Sequence, residues 1–285
     1  QHPVGDHVAR LHDLPHEVLT ATAVNERFPA YRLPEGMRAV YQPQGGLVAS
    51  ERAIVAHVRA AQAHGAEIHA REQVLDWKAT PGGGVVVRTD HGTYEAGRLV
   101  LTAGAWAADL AAPLAGLAVP ERQVLAWLQP QEPDWFEPSR FPVFNLQVPE
   151  GRYYGLPVYE VPGFKFGRYH HLGETGAPDA VRREPDAADE RLLRDFAERY
   201  FPAGSGPTMA LRDCMFTNTP DEHFILDHHP DFPQVVLASP CSGHGYKFCS
   251  VIGEILADLA SGDGRTRHEI GFLGLDRPGL RPAGP

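Results

Sequence analysis

Basic residues are in short supply. Against 36 Asp and Glu the chain carries only 26 Lys and Arg, a formal net charge of −10. Binding a phosphate backbone needs a basic face, so no nucleic acid is expected as a partner. Long apolar runs are missing as well. No stretch reaches the roughly 18 apolar residues of a membrane-spanning helix, so no membrane partner is expected. Cysteine is scarce: Cys214, Cys241 and Cys249 make an odd count of 3 without zinc-ligand spacing. They read as free thiols in a reducing, cytoplasmic compartment. The 15 histidines do not replace a missing metal motif. His228 and His229 are adjacent and would point to opposite faces of a strand, and neither they nor His223 belong to a Cys or carboxylate pattern that completes a tetrahedral site, so no metal is expected. No signal peptide is expected, and the final Arg281-Pro282-Ala283-Gly284-Pro285 holds no peroxisomal tripeptide. The G-x-G-x-x-G fingerprint of dinucleotide binding is absent too. Gly82-Gly83-Gly84 does not substitute, because it joins two strands and precedes no helix.

What is present fits one or two domains in 285 residues. Leu14–Leu19 and Val24–Pro29 read as short helical or turn pieces before a strand at Ala39–Gln42. Ser50 is placed to cap a helix over Glu51–Ala63, ended by His64-Gly65, with Ile54, Val55, Val58 and Ala61 on its apolar face. Short strands are expected at Glu67–His69, Gln73–Trp77, Val85–Thr89 and just after His91-Gly92. A buried strand at Arg98–Thr102 then enters Ala103-Gly104-Ala105-Trp106 and a helix. From residue 119 to 213 prolines and aromatics accumulate. Alternation at Gln123–Leu128 and Phe164–Tyr169 points to a mixed or antiparallel sheet, with a polar-faced helix over Glu184–Tyr200.

Arg212–Leu259 is the most informative stretch. After Cys214, strand character appears at Phe224–Asp227 and Gln234–Ala238. The tight loop Ser242-Gly243-His244-Gly245 follows, then Lys247. A helix keeps Phe248, Val251, Ile252, Ile255, Leu256 and Leu259 on one face. Strand, glycine loop and helix N-terminus together make an anion-receptive corner, because free N–H groups and the helix dipole point into the loop.

Cys214-Met215-Phe216-Thr217-Asn218-Thr219-Pro220-Asp221-Glu222-His223-Phe224-Ile225-Leu226-Asp227, followed by Ser242-Gly243-His244-Gly245-Tyr246-Lys247-Phe248, closely resembles the C-terminal signature of monomeric sarcosine oxidase and N-methyltryptophan oxidase. These are flavoenzymes of the D-amino-acid-oxidase superfamily, and the resemblance runs through nearly the whole chain. It implies a mixed α/β fold. Residues 47–118 and 214–285 would form an FAD-binding, Rossmann-like domain lacking its first βαβ unit. Residues 1–46 and 119–213 would form a substrate domain on a mixed or antiparallel sheet. The missing fingerprint and the first residue, Gln1, together give the expectation of an N-terminally truncated chain. The activity implied is oxidation of a secondary, N-methylated amino acid to an imine by FAD, with O2 reduced to H2O2, in a cytoplasmic monomer. A dehydrogenase of the same superfamily, or an inactive remnant acting as a binding module, are the alternatives.

The resemblance also implies site residues. Cys214, with Met215 beside it, matches the position that bonds covalently to the flavin. Gly243, His244, Gly245 and Lys247 match the loop against the flavin and the substrate carboxylate. Gly104 and Trp106 lie in the second flavin-contacting turn, where small residues let backbone approach closely. Val74 matches the position whose backbone holds the adenine. Lys165, which strand alternation turns away from Phe164 and Phe166, would sit over the flavin and stabilise negative charge on oxygen. Tyr154 would line the substrate cavity. His170 or Tyr169 would fill the family's His position, since the segment after Lys165 is one residue longer here.

Overall fold

The computed structural model describes residues 4–280. The terminal residues of the expected domain ranges, 1–3 and 281–285, lie outside the described residues. In chain order, helix α1 (Val4–Leu11), strand β1 (Glu17–Thr20), helix α2 (Ala21–Arg27) and strand β2 (Arg38–Tyr41) lead to helix α3 (Ser50–Ala63). A meander of β3 (Val74–Ala79), β4 (Val85–Thr89) and β5 (Thr93–Ala96) precedes β6 (Leu99–Leu101) and helix α4 (Ala107–Leu110). Strands β7 (Val119–Leu128), β8 (Phe144–Val148), β9 (Gly151–Leu156) and β10 (Phe164–Arg168) then lead to helix α5 (Ala187–Tyr200) and strand β11 (Thr208–Asn218). Strands β12 (Ile225–His228) and β13 (Val235–Ser239) and helix α6 (Cys249–Ala260) follow.

The chain divides into two units, with boundaries inside β7 and β11. The first holds the described residues up to Leu47, Arg122–Glu174 and Arg182–Cys214; the second holds Val48–Glu121, Thr175–Val181 and the described residues from Met215 on.

The first unit is built on a five-stranded sheet in the order β11-β7-β10-β9-β8. Phe164 and Phe166 are buried on one face, while Lys165 between them is half-buried on the other. That is the period-2 alternation of a one-sided sheet. The buried face meets α5. Asp186 caps this helix and exchanges bonds with Asp189 in a capping box, so the helix starts later than its polar pattern suggested. Its Leu193, Phe196 and Tyr200 enter a core rich in phenylalanine, and Phe196 stacks on Tyr153 with ring centroids 3.7 Å apart. Each ring taken from water contributes about 2–3 kcal/mol, which ties sheet and helix together.

In the second unit, all of β13 is buried. It runs parallel to β6, pairing Val235 with Leu99 and Leu237 with Leu101, and antiparallel to β12. A strand covered on both faces favours apolar residues along its length, which fits the unbroken Val235-Val236-Leu237-Ala238 run. Ile252, Ile255, Leu256 and Leu259 of α6 cover one face together with Val236 and Ala238.

Four expectations change. Leu14–Leu19 is not a helical or turn piece, because Val18 and Leu19 belong to β1 and pair with Val40 and Ala39 of β2. Glu67–His69 forms no strand. Only Ile68 favours pairing, and it is left exposed, while Glu67 and Glu72 both contact the His69 ring. Ser50 is the first residue of α3 rather than its cap. Ala49 holds the extended capping conformation, and no side chain closes the helix start. Helix α3 buries none of its residues, and Ile54 is 51% exposed.

Candidate active site

Within the first unit, strand register assembles one group of candidate residues. Lys165 on β10 lies opposite Trp127 on β7 and Leu156 on β9. Directly paired residues share a face, so these three side chains stand together. The Lys165 ammonium lies 4.9 Å from the centroid of the Trp127 ring, close enough for a cation–π attraction. Two residues along, Gly167 pairs with Tyr154. A Cβ at Gly167 would lie 2.8 Å from the Tyr154 hydroxyl, so glycine leaves the space that the tyrosine fills. Cys214 on β11 is half-buried, and the charges of Asp213 and Lys165 both reach it. Burial first, then Asp213, pushes its thiol up to about 11, while Lys165 draws it down. Burial also raises the Tyr154 phenol, with smaller contributions from Cys214 and Tyr169. This face therefore carries a cation and aromatic walls, with a desolvated thiol within reach of the cation.

The ambiguity after Lys165 takes a definite geometry. Tyr169 packs edge-on against Tyr154 with centroids 5.1 Å apart, and Arg152 lies over its other surroundings at 4.3 Å from the ring centroid. His170 is exposed and holds a left-handed backbone with φ 55°. The next residue, His171, is fully buried and bonds Asp189 at 2.9 Å. Asp189 also accepts from Arg122 at 2.7 and 2.9 Å. Sequence reasoning missed Trp127 and this buried trio. The capping-box spacing of Asp186 and Asp189 was the available signal for the trio.

Within the second unit, the loop after β13 folds back on itself. Ser242 and Gly243 take positive φ, at 44° and 72°. A Cβ at Gly243 would lie 2.5 Å from the Phe216 ring, and one at Gly245 would overlap the Pro240 carbonyl oxygen. Both glycines thus serve the loop's own packing, and only Gly243 needs the left-handed region. The His244 Nε2–H donates to the Glu222 carbonyl at 3.0 Å, which fixes the ring tautomer. Lys247 stands in a single 3₁₀ turn, Tyr246–Phe248, ahead of α6. It is exposed and donates to the His244 carbonyl at 2.7 Å. A cation at this end opposes the helix dipole, so an anion arriving here would meet a charge already held in place.

The remaining candidates also lie in the second unit. Gly104 has φ 55° and no atom within 4 Å of where a Cβ would stand, so its backbone borders open space. Trp106 is 40% exposed and donates from Nε1 to Asp179 at 3.1 Å. Val74 opens β3 and is exposed, and Met215 is half-buried.

A family model described as FAD dependent oxidoreductase matches residues 4–259. The chain belongs to this FAD-dependent oxidoreductase family. Among its relatives is the monomeric sarcosine oxidase of Bacillus sp. (strain NS-129), 37% identical over 280 residues, spanning 96% of this chain and 71% of that protein. The N-methyl-L-tryptophan oxidase of Yersinia pestis (strain Pestoides F) is 33% identical over 256 residues, 88% of this chain and 67% of the relative. Among solved structures, NikD, an amino acid oxidase essential for nikkomycin biosynthesis, shares the fold at a TM-score of 0.76 and 24% identity, covering 94% of this chain and 70% of its own. The L-proline dehydrogenase of P. horikoshii does so at 0.79 and 19%, covering 95% and 70%. These solved structures give the mixed α/β expectation its observed counterpart.

Proposed function

We propose that the protein is an amine oxidase that oxidises N-methyl amino acids and passes the electrons to O2, releasing H2O2. The observation that carries this reading is the placement of Lys165 and Tyr154 on one sheet face with Cys214 within reach of their charges, in a family member whose relatives include a sarcosine oxidase and an N-methyl-L-tryptophan oxidase. FAD, when bound, supplies the two-electron acceptance that amine oxidation needs. The residues present fit its flavin end. Gly104 offers backbone beside open space, and Cys214 offers a thiol for covalent attachment.

In this reading Lys165 supplies the fixed positive charge that stabilises negative charge developing on O2. Lys247 binds the substrate carboxylate. Tyr154 and Leu156 line the space for an uncharged substrate side chain, since Leu156 offers no hydrogen bond to a polar one. Tyr169, packed on Tyr154, takes the place that His170 would otherwise fill. The enzyme acts as a monomer in the cytoplasm, a reading supported by the name of its monomeric relatives and by three free cysteines.

A panel of amines tests the proposal, with peroxide release from the FAD-loaded protein as readout. N-methyl amino acids with small or apolar side chains are expected to react, and amines lacking a carboxylate to react poorly. Equal rates on both groups would mean that the carboxylate is not recognised.

A further inference from the structure

The loop that carries His244 and Lys247 is tied to a neighbouring turn by more bonds than its length requires. Ser242 N–H donates to the Thr217 carbonyl at 2.9 Å. Its hydroxyl accepts from Thr219 N–H at 3.3 Å and donates to the His223 carbonyl at 3.2 Å. With the His244 bond to Glu222, the whole Thr219–His223 turn serves as the loop's footing. That turn is shaped around Asp221, which accepts from the Thr219 hydroxyl at 3.0 Å and from His223 N–H at 3.3 Å.

Asp221 is in turn held by a residue far along the chain. Arg277 grips it with two parallel bonds, Nε to Oδ2 at 2.7 Å and Nη2 to Oδ1 at 2.9 Å, while Nη1 donates to the Gly274 carbonyl at 3.1 Å. Such a fork is the strong, directional form of a charge pair. The guanidinium holds the Asp221 carboxyl far below the ordinary carboxylate range. Arg277 is itself well placed: Leu273 and Leu280 on either side are buried, and Leu275 N–H donates to Asp227 at 2.8 Å. A Cβ at Gly279 would lie 2.5 Å from Asp221 Oδ2, so this segment packs closely on the carboxylate. Arg277 also lies beyond the residues 4–259 that the family model matches.

We infer that Arg277 and Asp221 are positioning residues. Acting through Ser242 and His244, they set the glycine loop in the geometry that lets Lys247 hold the substrate carboxylate. The inference rests on the proposed carboxylate role of Lys247. It adds a determinant of that role which comes from the C-terminal segment.

The test titrates acetate into FAD-loaded protein and follows the visible flavin spectrum. Arg277→Met is expected to weaken acetate binding about tenfold, the scale of a lost charged hydrogen bond. Arg277→Lys, which keeps one charged bond, recovers part of the loss. Combined with Lys247→Met, Arg277→Met adds little, because both act through one contact. Additive losses, or a lowered melting temperature with unchanged acetate affinity, would overturn the inference. Hydrogen exchange over residues 240–248 separates the two readings. Faster exchange in Arg277→Met is expected whatever Lys247 binds, and unchanged exchange overturns the clamp. Acetate affinity unaltered by Lys247→Met removes the carboxylate role alone. If Arg277→Met fails to fold, Ser242→Ala tests the same clamp at its other end, with the same expected rise in exchange.

Discussion

Cys214 shows how far a single residue's chemistry depends on its surroundings. Its thiol, held up at about 11, is almost wholly protonated at neutral pH, and only the thiolate attacks carbon. Site-resolved alkylation of Cys214 in protein without flavin should therefore speed up about tenfold per pH unit between pH 7 and 10. Lys165→Met should shift the profile to higher pH, since Lys165 favours the thiolate. A rate already level at neutral pH would contradict this environment. The same dependence explains what the sequence made legible. Strand alternation alone set Lys165 apart from Phe164 and Phe166. Trp127, with its ring centroid 4.9 Å from the Lys165 ammonium, was not legible, because the pairing of β7 with β10 brings them together and local pattern carries no register. His170 and Tyr169 differed by a single position, and the local pattern could not show that Tyr169 packs on Tyr154 while His170 turns out through a left-handed backbone.

Elements were more legible than contacts. The β13 strand and the α6 face followed from apolar run and helical period, because burial on both faces of one and on one face of the other leaves different periodicities. Helix α3 shows the limit of that logic. Its apolar residues obey the helical period, yet Ile54 and Val55 stay exposed and none is fully buried, since period reports a face and not what covers it. The glycine loop was visible as a motif, but its two glycines have different duties. Gly245→Ala should destabilise by about 3 kcal/mol or more, because a Cβ there overlaps the Pro240 carbonyl and backbone must move. Gly253→Ala, within α6 with nothing near its would-be Cβ, should be neutral or stabilise by up to about 1 kcal/mol. Thermal melts of the pair check this. Similar losses in both would mean that the loop is looser than its contacts imply.

At the scale of the molecule, the buried trio of Arg122, Asp189 and His171 contributes to the response to acid. Burial lowers the His171 pKa below its ordinary value, although Asp189 opposes the shift. Its Nδ1 is buried without a hydrogen-bond partner, so a second ring proton would find no acceptor. The unfolded chain therefore takes up this proton first. Stability is full above the unfolded histidine value of about 6.5 and falls as pH drops below it. Asp189, held well below the ordinary range by Arg122, Asp186 N–H and His171 despite its burial, keeps its contribution until far stronger acid. The melting temperature should thus decline between pH 7 and 5, and His171→Asn should flatten that decline. An equally steep decline in the variant would assign it to other groups.

The central claim is that this fold presents an N-methyl amino acid to FAD for oxidation. Rapid mixing of FAD-loaded protein with sarcosine, and separately with N-methyl-L-tryptophan, in the absence of air tests it most directly. At least one of them should bleach the visible flavin band, and admitting air should restore the colour with one peroxide released per amine oxidised. A band that neither amino acid bleaches, in protein that has demonstrably bound FAD, would contradict the account.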